Sequence, residues 1–339
     1  MTQANSRSVD LFGVTLDASG TGGAAHFLDV RTTEGESLLG RRIGRYQILR
    51  RLGAGSMGVV YAAHDPGLDR VVAIKLLPPA DIDIGHHETR LRREAQALAR
   101  VDHPNVVAVH DIGFDEAGFY VVMRLVDGVT LAERMTDRKT TRRRLLAMFL
   151  DAGRGLVAAH DSEIVHRDFK PSNVLVGHDD HVFVGDFGLA CSGDELAPYA
   201  NEPIFAVGSS PQLRTSALYQ ELTSQGGIVG TPYYMSPEQH RGEPATPRSD
   251  QFAFAVSLWI ALFGRHPFGA HSSEAAMALA RMREDRVILP ARSKLIPSHL
   301  VKALVRALRH DPAARWPSMR ELLAELEPRP WWRRAVSAR

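Results

Sequence analysis

From Tyr46 onward the chain alternates short apolar runs with turn residues. Tyr46–Leu49, Val59–Ala63 and Val71–Leu76 are rich in β-branched and aromatic side chains and are separated by Gly, Pro and Asp, which predicts a meander of antiparallel strands. The period then changes: residues 88–100 (ETRLRREAQALAR) place Leu91, Ala95 and Leu98 at helical spacing, and His103-Pro104-Asn105 ends the run. Two further strands are predicted at Val106–His110 and Phe119–Leu125. After Gly128 the pattern is helical, with Arg142–His160 and Asp250–Phe263 as the long segments and shorter ones as far as Leu326. The most apolar stretch, Phe252–Phe263, is about a dozen residues where a bilayer span needs roughly 20, so it reads as a buried core helix. A β-rich front and an α-rich back predict an α+β chain of two lobes, 46–127 and 128–326, that meet near Asp127-Gly128. Residues 1–40, rich in Gly, Ser and Thr with few periodic apolar positions, are expected to be a flexible leader. Residues 327–339 form a polar and aromatic tail.

Composition narrows the classes without naming a function. With 339 residues, 44% hydrophobic and 24% charged, the chain can build a sizeable core, which excludes disorder as its main description. The net charge of +2 is spread along the sequence, so nucleic acid is not an expected partner. One cysteine, Cys191, allows no intramolecular disulfide and suits a reducing compartment, so a cytoplasmic location is expected. Its expected chemistry is inert, for it has no resolving partner. The first forty residues lack the basic patch and apolar run of a secretory signal. Trp331-Trp332-Arg333-Arg334 pairs interfacial aromatics with basic residues, as happens just before membrane segments. A frayed polar tail is the plainer expectation; the alternative is the junction to an anchor in a longer protein, on the cytoplasmic face of a membrane.

Candidate chemistry begins at Leu52-Gly53-Ala54-Gly55-Ser56-Met57-Gly58-Val59-Val60-Tyr61, a G-x-G-x-x-G run. In a dinucleotide-binding unit a helix would follow directly; here strand residues follow, which favours a glycine hairpin lying over a triphosphate. Glycine backbone N–H groups can approach phosphate oxygens with no side chain between, although an ordinary Gly-rich turn has the same composition. Lys75 ends the apolar strand Val72-Ala73-Ile74 and is either a snorkelling edge residue or a buried cation that needs anionic partners. Glu94 on the following helix can supply one and ATP phosphates the other, whereas Glu88, two turns earlier, reads as solvated. Two later segments, His166-Arg167-Asp168-Phe169-Lys170-Pro171-Ser172-Asn173 and Asp186-Phe187-Gly188, hold the groups that phosphoryl transfer requires. These are an orienting carboxylate, oxygen ligands for Mg²⁺ and a cation for the moving phosphate.

On these motifs residues 46–326 resemble the eukaryotic-type protein kinases, in particular the Hanks-type serine/threonine kinases of bacteria. The resemblance implies the two-lobed kinase fold, with a β-rich lobe carrying one main helix and an α-rich lobe behind it. It also implies ATP as co-substrate, Mg²⁺ (or Mn²⁺) as the metal, and Ser/Thr hydroxyls of proteins as acceptors. Carried over residue by residue, Asp168 would orient and deprotonate the acceptor hydroxyl and Lys170 would steady the γ-phosphate. Asn173 and Asp186 would hold the metal. Lys75 would contact the α- and β-phosphates and pair with Glu94 in the active state. Met123 would be the gatekeeper of a hinge, Val122–Val126, in which the backbones of Arg124 and Val126 face the adenine edge and Val60, Ala73 and Leu175 sandwich the ring. Residues 230–238 (GTPYYMSPE) resemble the substrate-docking segment, in which Glu238 should pair with Arg315. Asp250 should tie the catalytic loop to the buried helix, an N-cap being the plain alternative. Lys170 and Thr231 match the Ser/Thr pattern, Thr231 as a partner of Asp168 and Lys170. Back-to-back pairing of the β-rich lobes is known in the family that the chain resembles, which leaves a homodimer for autophosphorylation in trans open, although no residue here marks it.

The chain departs from the pattern at Phe169, where leucine is usual, at Ser236, often alanine, and at Arg124, where a hinge glutamate is common. None removes a catalytic group, so a pseudokinase scaffold is the lesser alternative; a small-molecule phosphotransferase is disfavoured by the docking segment. The larger departure is the stretch from Cys191 to Gly227, which makes the segment between the Asp186 and Glu238 motifs about 50 residues long, well beyond usual loop length. Ser192, Ser209, Ser210, Thr215, Ser216, Thr223 and Ser224 offer hydroxyls there, with Thr223 and Ser224 the best-placed phosphorylation sites and Thr215 and Ser216 next. Arg167, before the catalytic aspartate, is the expected partner of a phosphate on this loop.

Overall fold

Six antiparallel strands make up the first lobe in a computed structural model, which describes residues 38–55, 58–77, 92–187, 233–269, 282, 284–289 and 296–327. β1 (Arg42–Ile43), β2 (Tyr46–Gly55), β3 (Gly58–Asp65), β4 (Arg70–Leu77), β5 (Val109–Asp115) and β6 (Gly118–Arg124) pair in the order β1-β2-β3-β4-β6-β5. The predicted meander is present, with strands longer than the apolar runs because paired polar residues extend them. Side-chain alternation sorts β4: Val72, Ile74 and Leu76 join Ile43, Tyr46, Ile48 and Val122 in one apolar layer, which turns Ala73 and Lys75 to the other face. That second face carries Leu77, Phe119 and Val121 packed with Ala95 of α1 (92–98).

The strand predicted at Val106–His110 forms three residues later. Val106 and Val107 bind β9 (Val182–Val184) of the second lobe instead, through a parallel bridge from Val106 to Val184 and a Val107 N–H donated to the Val184 carbonyl at 2.9 Å. Their apolar side chains are 3% and 4% exposed there, so burial against the second lobe wins over continuation of the first sheet.

The second lobe opens with β7 (Gly128–Thr130) and α2 (Leu131–Thr136), joined by a capping box in which Thr130 and Glu133 satisfy each other's backbone N–H groups. β7, β8 (Val174–Gly177) and β9 form a small sheet, and α3 (Arg142–Asp161), capped by Thr141, runs beneath it. α4 (Pro237–His240) precedes α5 (Pro247–Phe263), the core element: Phe252, Phe254, Val256, Leu258 and Trp259 have no exposure. α5 begins three residues before the sequence pattern suggested, since Thr246 precedes it and Pro247 opens it, a position where proline's missing N–H costs nothing. Gly264, at φ 70°, ends it in the left-handed conformation. α6 (Ser298–Ala307) and α7 (Met319–Leu326) close the lobe around α5. Among the described residues no helix is long and apolar enough to cross a membrane.

Candidate active site

The loop after α3 is held in shape from below. Asp250, 1% exposed in the first turn of α5, accepts the backbone N–H groups of His166 (2.8 Å) and Arg167 (2.9 Å) and lies 2.8 Å from His160 Nε2. It is not an N-cap; its carboxylate serves the loop. These bonds hold Arg167 at φ +68°, a conformation that a non-glycine residue rarely adopts unaided. His166 is fully buried, which pushes its pKa down, so the neutral ring donates Nε2–H to the Gly185 carbonyl at 3.0 Å. A column of rings runs from Phe187 through His166 (4.6 Å) and Phe169 (5.7 Å) to Phe254 (5.7 Å). Phe169, 1% exposed, thus fills the usual leucine position by packing on α5.

Above this base the candidate reactive groups converge. Lys170 Nζ donates to Asp168 Oδ2 at 2.8 Å, and Asn173 Nδ2 donates to the Asp168 backbone carbonyl at 2.8 Å. Lys75 Nζ donates to Asp186 Oδ1 at 3.0 Å, with Asp186 held at φ +52°. Each ammonium group is thus paired with one carboxylate, Lys170 with Asp168 and Lys75 with Asp186. The expected partner of Lys75, Glu94, is engaged elsewhere: Glu94 Oε1 accepts from Arg167 Nη1 at 3.1 Å. Asp186 already answers the charge of Lys75, and the guanidinium, with five N–H donors, takes the acid of α1. Among the described residues no three His, Cys, Asp or Glu side chains converge on a metal. Asn173, whose amide nitrogen is committed, and Asp186 present the hard oxygen donors that suit Mg²⁺ when substrate phosphates complete its shell.

The glycine hairpin adjoins Lys75, since Val60 of β3 stands opposite Lys75 of β4. β2 and β3 pair up to Gly55 opposite Gly58; Ser56 and Met57, also predicted nucleotide contacts, lie outside the described residues. Gly58 stands at φ +121°, and a Cβ there would run into the Leu76 carbonyl. Leu52, Gly53, Ala54, Val59 and Val60 lie on the two hairpin strands, while Ala73 pairs with Met123 across β4 and β6. Leu175, on β8, belongs to the opposite lobe. Arg124 donates its backbone N–H to Ala108 at 2.9 Å, and its guanidinium stacks over Phe183 at 4.7 Å. Val126 follows in the link to β7.

Beyond the catalytic loop, Arg315 binds Glu238 through two hydrogen bonds of 2.7 Å, with both side chains buried. Burial alone would push the Glu238 pKa up, but the Arg315 bonds outweigh it and hold it below its usual value. Ser236, fully buried, contributes its backbone N–H and hydroxyl to Gln239 Oε1 at 3.2 and 3.0 Å, which gives the departure from alanine a structural reason. Gln239 Nε2 then donates to the Arg167 carbonyl at 2.7 Å. Sequence reading missed Gln239, although Ser236-x-x-Gln239 is a capping-box spacing. His160 was missed with no local signal, for its partner Asp250 lies 90 residues away. Glu88, Gly188, Cys191, Thr231 and all seven candidate phosphorylation sites lie outside the described residues.

Residues 46–326 match the family model for the protein kinase domain. The chain is 33% identical to the serine/threonine-protein kinase PrkC of Bacillus subtilis, over 86% of this chain and 41% of the relative. It is 34% identical to PknB of Mycolicibacterium smegmatis, over 83% and 42% respectively, and 33% identical to PknD of Mycobacterium tuberculosis, over 84% and 39%. The chain thus spans about two fifths of the length of these curated relatives. A crystal structure of the kinase domain of Mycobacterium tuberculosis PknI superposes with a TM-score of 0.61 at 26% identity, covering 85% of this chain and 96% of that one.

Proposed function

The chain belongs to the protein kinase family, and from that premise we propose that it transfers the γ-phosphate of ATP to serine and threonine hydroxyls of proteins, with residues 46–326 as the catalytic unit. The observation that carries the proposal is a pair of hydrogen-bonded groups, Lys75 with Asp186 and Asp168 with Lys170 and Asn173, joined by the Gly185 N–H donated to the Asn173 carbonyl at 2.9 Å. Asp168 accepts the proton of the acceptor hydroxyl as its oxygen bonds to the γ-phosphorus. The bond from that phosphorus to the β–γ bridging oxygen breaks, and ADP leaves with the electron pair. Lys170, beside Asp168, steadies the transferring phosphoryl group, and Lys75 binds the α- and β-phosphates. Asn173 and Asp186 would hold the metal, Mg²⁺ or Mn²⁺, which would supply positive charge against the phosphates. Hinge backbone at Arg124 and Val126, with Leu52, Val60, Ala73, Met123 and Leu175 around the ring, holds the adenine.

The Glu94–Arg167 pair supports a regulatory reading. Both side chains are partly exposed, 24% and 29%, and such pairs contribute about 1 kcal/mol or less. A phosphate on the loop after Asp186 is a stronger partner for Arg167. Its arrival releases Glu94 to join Lys75, and two copies paired through their β-rich lobes deliver that phosphate in trans. The test is to incubate the chain with Mg-ATP and a basic protein that carries Ser, Thr and Tyr, and to identify the phosphorylated residues. Phosphoserine and phosphothreonine are expected; phosphate on tyrosine alone overturns the specificity.

A further inference from the structure

We propose that the Arg124 side chain clasps the two lobes by stacking on Phe183, and that this clasp sets the affinity of the cleft for adenine nucleotide; the second half of this inference rests on the phosphotransfer reading above. Arg124 ends β6, the strand that leads into the hinge, while Phe183 is the central residue of β9 in the other lobe. The guanidinium carbon lies 4.7 Å from the ring centroid, inside the roughly 6 Å range over which a cation is drawn to a ring face.

Both ends of the contact are fixed. On one side Arg124 pairs with Val72 of β4 and donates its N–H to Ala108. On the other, Phe183 is 5% exposed and stands opposite Leu175 in the β8–β9 register, so the ring belongs to the strand beside the proposed adenine floor. The His181 ring backs Phe183 at 4.7 Å, and His181 Nε2 is 3.0 Å from the Pro104 carbonyl. Among the described residues no acid forms an ion pair with Arg124, so its charge is not drawn off the ring. With its N–H taken by Ala108, Arg124 has its carbonyl left for the nucleotide edge, while its side chain on Phe183 fixes the gap between roof and floor. A glutamate here would present negative charge to the negative face of the ring.

The experiment compares the wild-type chain with Arg124→Met, which keeps the stem and loses the charge, Arg124→Lys, Phe183→Leu and the Met/Leu double variant. Mg-ADP and Mg-ATP affinities are measured by calorimetry, and hydrogen exchange at residues 124–127 is followed without nucleotide. Arg124→Met and Phe183→Leu should each weaken nucleotide binding roughly two- to fivefold, with the double variant no weaker than either single one. Arg124→Lys should keep most of the affinity. Hinge exchange should quicken in both single variants, and in turnover the loss should fall on KM for ATP rather than on kcat. Unchanged hinge exchange, or effects of the two single variants that simply add, would overturn the clasp. A wild-type chain that bound neither nucleotide would overturn the phosphotransfer reading and the affinity half of the inference, and leave hinge exchange to decide the contact itself.

Discussion

Replacing Arg315 by alanine puts the buried pairing of α4 under a severe load. All five of its N–H donors are used: two on Glu238, and one each on the carbonyls of Arg248, His310 and Arg309, at 2.7 to 3.2 Å. The guanidinium also lies 4.9 Å over the Phe252 ring. Truncation leaves the Glu238 carboxylate, 3% exposed, with Ser249 Oγ as its remaining side-chain donor, together with three orphaned carbonyls and a void beside α5. Breaking a buried pair from one side costs about 3 to 5 kcal/mol, a large share of the roughly 5 to 15 kcal/mol that holds a domain folded. Urea unfolding, with a slope of about 3 kcal/mol per M for a domain of this size, should show the midpoint falling by about 1 to 2 M. Arg315→Met combined with Glu238→Leu removes both charges and should be more stable than either single variant. An Arg315→Ala chain within 1 kcal/mol of wild type, or a double variant no better than the worse single one, would refute the assignment of this pair as the buried tie between α4 and the segment ahead of α7.

Three other perturbations have outcomes set by the structure. Burial lowers the pKa of His240 and of His266 to about 4, so the unfolded chain takes up protons first as pH falls below about 6.5. Stability should be complete above that pH and decline towards pH 4 by on the order of 3 kcal/mol per histidine; a thermal midpoint flat across that window would contradict it. Gly58→Ala forces a Cβ onto the Leu76 carbonyl at φ +121°, so ATP affinity should drop at least tenfold while global stability falls by only about 1 to 3 kcal/mol. Arg167→Gln frees Glu94 from its 3.1 Å contact, so the dephosphorylated chain should turn over ATP faster than wild type, whereas slower turnover would contradict the proposed exchange of partners.

What could be read in advance followed from how local each signal is. The strand meander and the α5 core helix were legible because their apolar periods are long and their turn residues unambiguous, and Glu238 with Arg315 was legible only through the family resemblance. β5 was misplaced because Val106-Val107 is as good a strand as Ile112-Gly113-Phe114 until a second lobe competes for it. The early start of α5 was written in Thr246-Pro247, yet the apolar run drew the boundary later. Which cation Glu94 takes depends on where α1 sits relative to Lys75 and Arg167, a tertiary quantity without a sequence period. Arg124 and Phe183 likewise meet across 59 residues only because a sheet register brings them together.

The most direct measurement of the central claim is phosphate mapping by mass spectrometry after wild-type and Asp168→Asn chains are incubated with Mg-ATP. New phosphate on Ser or Thr of the wild-type chain, and none on Asp168→Asn, is the predicted result, with the segment from Ser192 to Ser224 as the expected place. If neither chain gains phosphate on itself or on an added basic protein while both bind ATP, the cluster around Asp168 serves a nucleotide-binding scaffold and the phosphotransfer account fails.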